Sequence, residues 1–157
     1  MHLRHVVALS AVAVFAGPVR AAGGGGGPPP GARSAELSKA EQLIEDERWD
    51  EAVQVLTKAS ERERSNADVY NWLGYAERKR GNTDAAFAHY ARALALDPKH
   101  RGAHEYVGEA YLMVDDLAKA KEHLATLAKL CRSRCEEYKD LKEHVAEYEE
   151  RHASTER

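Results

Sequence analysis

Cys131 and Cys135, the two thiols of the chain, bracket Arg132-Ser133-Arg134. Flanking guanidinium groups lower a thiol pKa and raise its reactivity. The spacing suits a disulfide, thiol–redox exchange or copper delivery, whereas two thiolates alone leave a zinc site incomplete. No His or Met adjoins the pair in sequence; His123 and Met113 would reach it only through the fold. The histidines add little chemistry. His100 and His104 straddle a helix start, and His89, His123, His144 and His152 read as helix-surface residues. Paired acids such as Asp115-Asp116 read as caps. No Ser–His–acid motif or phosphate-binding glycine loop is present, so neither an enzyme nor a bound cofactor or metal is expected.

The elements that must hold these groups recur. Ala40, Gly74 and Gly108 are 34 residues apart, and so are Ala52, Ala86 and Ala120. A period of that size marks an array of helical hairpins, each burying its apolar face against its neighbours. Apolar spacing predicts helices over 35–46, 49–61, 67–80, 84–96, 101–113, 117–130 and 136–151. Gly81-Asn82 ends the third helix, Thr83 is placed as the cap of the fourth, and Pro98 stops that helix. Asp115-Asp116 turns into the sixth. The last helix carries one stripe, Tyr138, Leu141, Val145 and Tyr148, and reads as a cap with a polar outer face.

The central unit, Tyr70-x-x-Leu73-Gly74-x-x-Glu77 with Ala86-x-x-x-Tyr90 and Pro98, resembles the tetratricopeptide repeat family. Degenerate copies carry His104-x-x-Val107-Gly108-x-x-Tyr111 with Ala120, and Lys39-Ala40 with Ala52. The resemblance implies an all-α, right-handed solenoid of three hairpins, about 33–66, 67–100 and 101–134, plus a cap over 135–152. Ala40, Ala52, Leu73, Gly74, Ala86, Tyr90, Pro98, Gly108, Tyr111 and Ala120 then define the repeats. The small residues let the two helices of a hairpin approach closely. Lys39, where a core leucine belongs, suggests an edge helix whose Leu37 and Ile44 offer a surface for weak self-association.

In this family the first helix of each hairpin lines a concave groove that takes a protein or peptide ligand. By register the groove residues are Asp68, Asn71, Tyr75, Arg78 and Lys79, then Glu105, Glu109, Leu112 and Met113, with Leu37, Glu41 and Glu45 at the edge. Asn71 suits an extended peptide, Arg78 or Lys79 a carboxylate, and Glu105 and Glu109 a basic segment. The register also places Cys131 and Cys135 around an inter-hairpin turn. A turn brings their Cβ atoms within the roughly 3.5–4.5 Å that a disulfide needs. Such a bond would set the angle of the last helix, with a chain-entropy contribution of roughly 2 kcal/mol.

The first 21 residues differ in kind. His2, Arg4 and His5 precede an apolar run over 6–16, then Gly17-Pro18 and Val19-Arg20-Ala21. This is the pattern of a secretory signal peptide cleaved after Ala21 or Ala22, implying a periplasmic destination where disulfides persist. The run falls well short of the roughly 20 residues of a membrane span. Residues 22–33 are a Gly/Pro-rich linker and 153–157 a tail. The chain carries 23 Lys+Arg against 26 Asp+Glu, a net −3. Removing Arg4 and Arg20 leaves 21 against 26, or −5. That balance disfavours nucleic acid and anionic membrane surfaces. The expected role is an exported adaptor that binds a peptide or protein, with copper or thiol–redox accessory work at Cys131 and Cys135 as the alternative.

Overall fold

Ser34 opens the helical array: its Oγ accepts from the Leu37 N–H at 3.2 Å. The computed structural model describes residues 34–155; the signal segment 1–21 and the linker 22–33 lie outside them. Seven helices follow in order: α1 (Ala35–Glu45), α2 (Trp49–Arg62), α3 (Ala67–Lys79), α4 (Thr83–Leu96), α5 (Arg101–Met113), α6 (Leu117–Cys131) and α7 (Glu136–Thr155). No strand occurs among the described residues. The chain is an all-α helical repeat: α1–α2, α3–α4 and α5–α6 are antiparallel hairpins, and α7 packs on both α5 and α6. α7 continues to Thr155, into the stretch read as a tail. Among the described residues no helix is long and apolar enough to cross a membrane.

The hairpin turns repeat at atomic detail. The N–H groups of Arg48, Asn82 and Asp116 donate to the carbonyls of Leu43, Glu77 and Tyr111 at 2.8, 2.9 and 2.9 Å. One residue earlier, Glu47, Gly81 and Asp115 donate to Ile44, Arg78 and Leu112. All three donors adopt positive φ, at 57°, 83° and 60°. This pair of bonds around a left-handed residue is the Schellman closure, which satisfies the last carbonyls of a helix. Only the central turn uses glycine, so composition revealed one closure of three. Thr83 is not the cap of α4 but its first residue; Asn82 holds the cap position without a side-chain cap bond. The Asn82 amide is engaged instead by Glu77 Oε2 at 3.0 Å. Asp116 does cap α6, accepting from the Lys119 N–H at 3.0 Å.

Small residues set the helix separations. Ala40, Ala52, Ala86 and Ala120 are wholly buried. A methyl on Gly74 would lie 2.5 Å from the ring of Tyr90, itself wholly buried, so α3 and α4 meet through that glycine. Gly108 works differently from its repeat mate. A methyl there would lie 2.5 Å from Leu141 of α7, so this glycine admits the capping helix rather than its hairpin partner. Leu141 and Val145 join Ala120 and Leu127 in the terminal core cluster. At the other end Leu37 and Ile44 are 2% and 8% exposed, packed with Leu43, Leu56 and Leu73. The apolar edge expected for self-association is therefore closed, because α2 and α3 cover it; Lys39 alone of that trio faces water.

Glu47 carries a side chain in a conformation that costs non-glycine residues roughly 1–2 kcal/mol, against roughly 0.5–1 kcal/mol of extra chain entropy for glycine. Glu47→Gly is expected to raise stability by about 0.5–1 kcal/mol, read as a higher urea midpoint at unchanged slope. A lower midpoint would refute the strain at that turn.

Candidate functional site

α3 and α5 run side by side and present the polar faces that the repeat register assigns to a groove. Their closest link is an ion pair, Arg78 Nη2 to Glu109 Oε2 at 2.7 Å, with side chains 8% and 15% exposed. Burial opposes the Arg78 charge, but Glu109 with Tyr90 and Tyr75 outweighs it, so its pKa is raised. The guanidinium also lies 5.3 Å from the Tyr75 ring centre and 5.9 Å from that of Tyr106. Tyr75 and Tyr106 pack at 4.8 Å, with Trp72 and Trp49 beside Tyr75 at 5.7 and 6.1 Å. Lys79 Nζ sits 5.5 Å over Tyr75 and 5.9 Å over Trp49. An aromatic cluster drawn from α2, α3 and α5 thus holds two cations by their attraction to ring faces.

Two clefts flank this cluster. One, about 530 Å³, brings together Leu37 and Glu41 of α1, Asp68, Asn71 and Trp72 of α3, Glu105 and Tyr106 of α5, and Glu137 of α7. The other, about 310 Å³, is formed by Arg78, Lys79, Glu109, Leu112 and Met113 with His144, Glu147 and Arg151 of α7. Tyr75 lines neither cleft but supports both through the aromatic cluster, and Glu45 is exposed away from them. Arg78 does not stand as a free clamp for a carboxylate, since Glu109 already neutralises it. Met113, which lines the second cleft, is 55% exposed.

Several participants escaped sequence reading. Trp49, Trp72 and Tyr106 look like ordinary repeat-core aromatics in sequence, and α7 looks like a polar cap. The cap is also a wall, because its polar face closes both clefts. His144, read as a surface residue, has Nδ1 3.5 Å from Glu109. His144 is indeed exposed, whereas His123 is half-buried. Its Nδ1 lies 2.9 Å from Nδ1 of buried His104, whose Nε2–H donates to the Pro98 carbonyl at 3.0 Å. His104 Nδ1 therefore accepts from His123 Nδ1–H, and burial and His104 push the His123 pKa down to about 4.

Cys131 and Cys135 are joined as a disulfide, with Cα atoms 5.7 Å apart. Arg132 and Ser133, at φ 53° and 59°, make the turn that reverses the chain between α6 and α7. Joined in this way, neither sulfur is a thiolate. Among the described residues no three His, Cys, Asp or Glu side chains are gathered so as to hold a metal ion.

Glu105 is the electrostatic anomaly. It is 8% exposed. Burial, then Glu109, Asp140 and Glu137, push its pKa up to about 8, with Arg78 pulling the other way. Opposite, the buried Oδ1 of Asn71 has no hydrogen-bond partner among the described residues.

Stacked helical hairpins define a helical-repeat scaffold. Two family models described as tetratricopeptide repeat match over residues 37–101 and 77–145. The chain belongs to the tetratricopeptide repeat family. Tetratricopeptide repeat protein 1 of Schizosaccharomyces pombe is 36% identical over 55 residues, which is 35% of this chain and 5% of that protein. This chain therefore matches only a small part of its relative's length. Among solved structures, the first TPR of Spaghetti (RPAP3) bound to HSP90 peptide SRMEEVD is 19% identical, with TM-score 0.63, covering 71% of this chain and 88% of that one. The Yersinia enterocolitica type III secretion chaperone SycD, in complex with a peptide of the translocator YopD, is 20% identical, with TM-score 0.64 and coverage of 78% and 92%. At these identities the likeness shows the fold.

The Glu105 shift sets a pH dependence with a definite sign. A carboxyl whose folded pKa lies above its unfolded value holds a proton in the folded chain, and stability is lost as pH rises from the ordinary carboxyl range through about 8. Glu105→Gln is expected to match the parent near pH 4 and to exceed it by roughly 1–2 kcal/mol near pH 9, after discounting for solvent screening. Urea denaturation across that range checks this; a constant difference would show that Glu105 titrates normally.

Proposed function

We propose that this chain is an exported protein-interaction module that holds a segment of another protein in the groove formed by α1, α3, α5 and α7. The observation that carries the reading is the pair of clefts flanking one aromatic cluster, on the face that the repeat register assigns to ligand. Rings offer adaptable contact at low entropic cost, and Asn71 and Lys79 add polar handles beside them. Two neighbours in fold are described as bound to peptides, which supports the same use of the face here.

Heptapeptides selected from a random library on the folded protein are expected to shift backbone resonances of Asn71, Tyr106 and Met113. Asn71→Ala and Tyr106→Ala should each weaken binding about five-fold or more, or roughly 1 kcal/mol, and Lys39→Ala should leave it unchanged. Shifts confined to α2, α4 and α6 would move the ligand to the opposite face and end the groove reading.

Export is supported by the basic-then-apolar N-terminal sequence and by the joining of Cys131 to Cys135. Expressed in a bacterium with the natural N-terminus, the protein should appear in the periplasmic fraction, starting at Ala22 or Gly23. Recovery of uncleaved chain from the cytoplasm would count against it.

A further inference from the structure

The two polar rungs between α3 and α5 are not alike. On the later rung Glu109 meets Arg78 at 2.7 Å, so acid and base balance inside the protein. One turn earlier on α5, Glu105 forms no ion pair with any described residue, and the α3 residues lining the same cleft, Asp68, Asn71 and Trp72, include no base. Three basic side chains line the cleft on the α4–α5 side, Lys99, His100 and Arg101, and two of them are engaged. His100 bonds Asp68 at 3.0 Å, and Arg101 pairs with Glu137 at 3.5 Å. Asp68, Glu41 and Glu137 share the cleft, so its lining is predominantly acidic.

Asn71 supplies a second, independent sign. It is 4% exposed, lines the cleft, and its Oδ1 has no donor among the described residues. A buried carbonyl oxygen left unpaired keeps its desolvation cost uncompensated. Asn71 packs against the first turn of α5, where a Cβ on Gly102 would lie 3.4 Å from Nδ2. An acceptor from α3 and a carboxylate from α5 thus border one cleft, with Trp72 and Tyr106, whose ring centres are 6.2 Å apart, beside them.

We propose that this cleft is a specificity pocket for an arginine of the bound segment, its guanidinium received by the Glu105 carboxylate and Asn71 Oδ1 with its plane against the neighbouring rings. The proposal rests on the groove reading given above and narrows it to a basic partner segment. A guanidinium suits the site better than an ammonium: its planar donor fork pairs a carboxylate in two bonds, retains further donors for the amide oxygen, and stacks on aromatic faces.

Proton linkage follows. Around Glu105, Arg78 favours the charged form, while burial, Glu109, Asp140 and Glu137 oppose it and hold the proton to about pH 8. An arriving guanidinium reverses that balance, so near pH 7 the carboxyl loses its proton to buffer as the complex forms, and affinity rises with pH.

The test uses three pools of N-acetylated, C-amidated heptapeptides with random flanks and arginine, citrulline or glutamate fixed at the centre. Binding to the full-length folded protein is followed by calorimetry and by resonances of Asn71 and Trp72. The arginine pool should bind at least ten-fold tighter than the citrulline pool at pH 9 and lose most of that preference at pH 6. In Glu105→Gln, whose fold is checked by circular dichroism, arginine and citrulline pools should bind alike. Pools that bind in the cleft without preferring arginine, or a preference that survives Glu105→Gln, overturn the arginine pocket and leave the groove standing. If no pool perturbs the cleft resonances, both readings fall.

Discussion

A bulky side chain seated on a glycine occurs at two joints of this array, and the rest of the architecture depends on those contacts. Tyr90 on Gly74 sets the separation of α3 and α4. Leu141 on Gly108 sets how deeply α7 enters against α5. Interiors pack at crystalline density, so a single methylene at either place has nowhere to go. Because each hairpin exposes an apolar face that only a neighbour covers, an error at one joint is passed to the next. The groove inherits its width from these contacts rather than from anything on its own surface.

The groove's electrostatics follow from where α7 lies. Glu137 and Asp140 come within reach of Glu105, and His144 within reach of Glu109, only because Leu141 is buried on Gly108. The disulfide at Cys131 and Cys135 sits at the hinge of the same helix. One end of α7 is thus held covalently. Farther along, the Tyr148 hydroxyl donates to Asp115 Oδ1 at 3.1 Å, tying α7 to the α5–α6 turn. A helix that looks like a lid for the hydrophobic core is in the same stroke a wall for the polar groove.

Most of the fold was legible in the chain. Helix periodicity located all seven elements to within a few residues, and the 34-residue ladder located the hairpins. Thr83 misled because a threonine before an acid is a common cap signal, whereas here Glu77 draws Asn82 into its own bond and the helix starts one residue early. Glu47 and Asp115 misled by silence: a left-handed turn without glycine leaves no mark in composition. The groove was legible as a set of α3 and α5 positions, but not its internal pairing. Leu37 and Ile44 were read as an open edge on the strength of Lys39, and the packing of α2 and α3 closes it.

What the sequence determined by itself is the periodic content: helix lengths, repeat register, the small residues that must face a neighbour, and the cysteines at a turn. These are local or strictly repeating properties, and spacing encodes them. What only the tertiary structure decided is which charges meet. Arg78 finds Glu109 and leaves Glu105 without an ion pair among the described residues, His104 finds His123 across 19 positions, and Gly108 receives α7 instead of α6. Register says which face a side chain occupies. Distance and burial, which set the strength of every charge on that face, depend on how neighbouring helices dock.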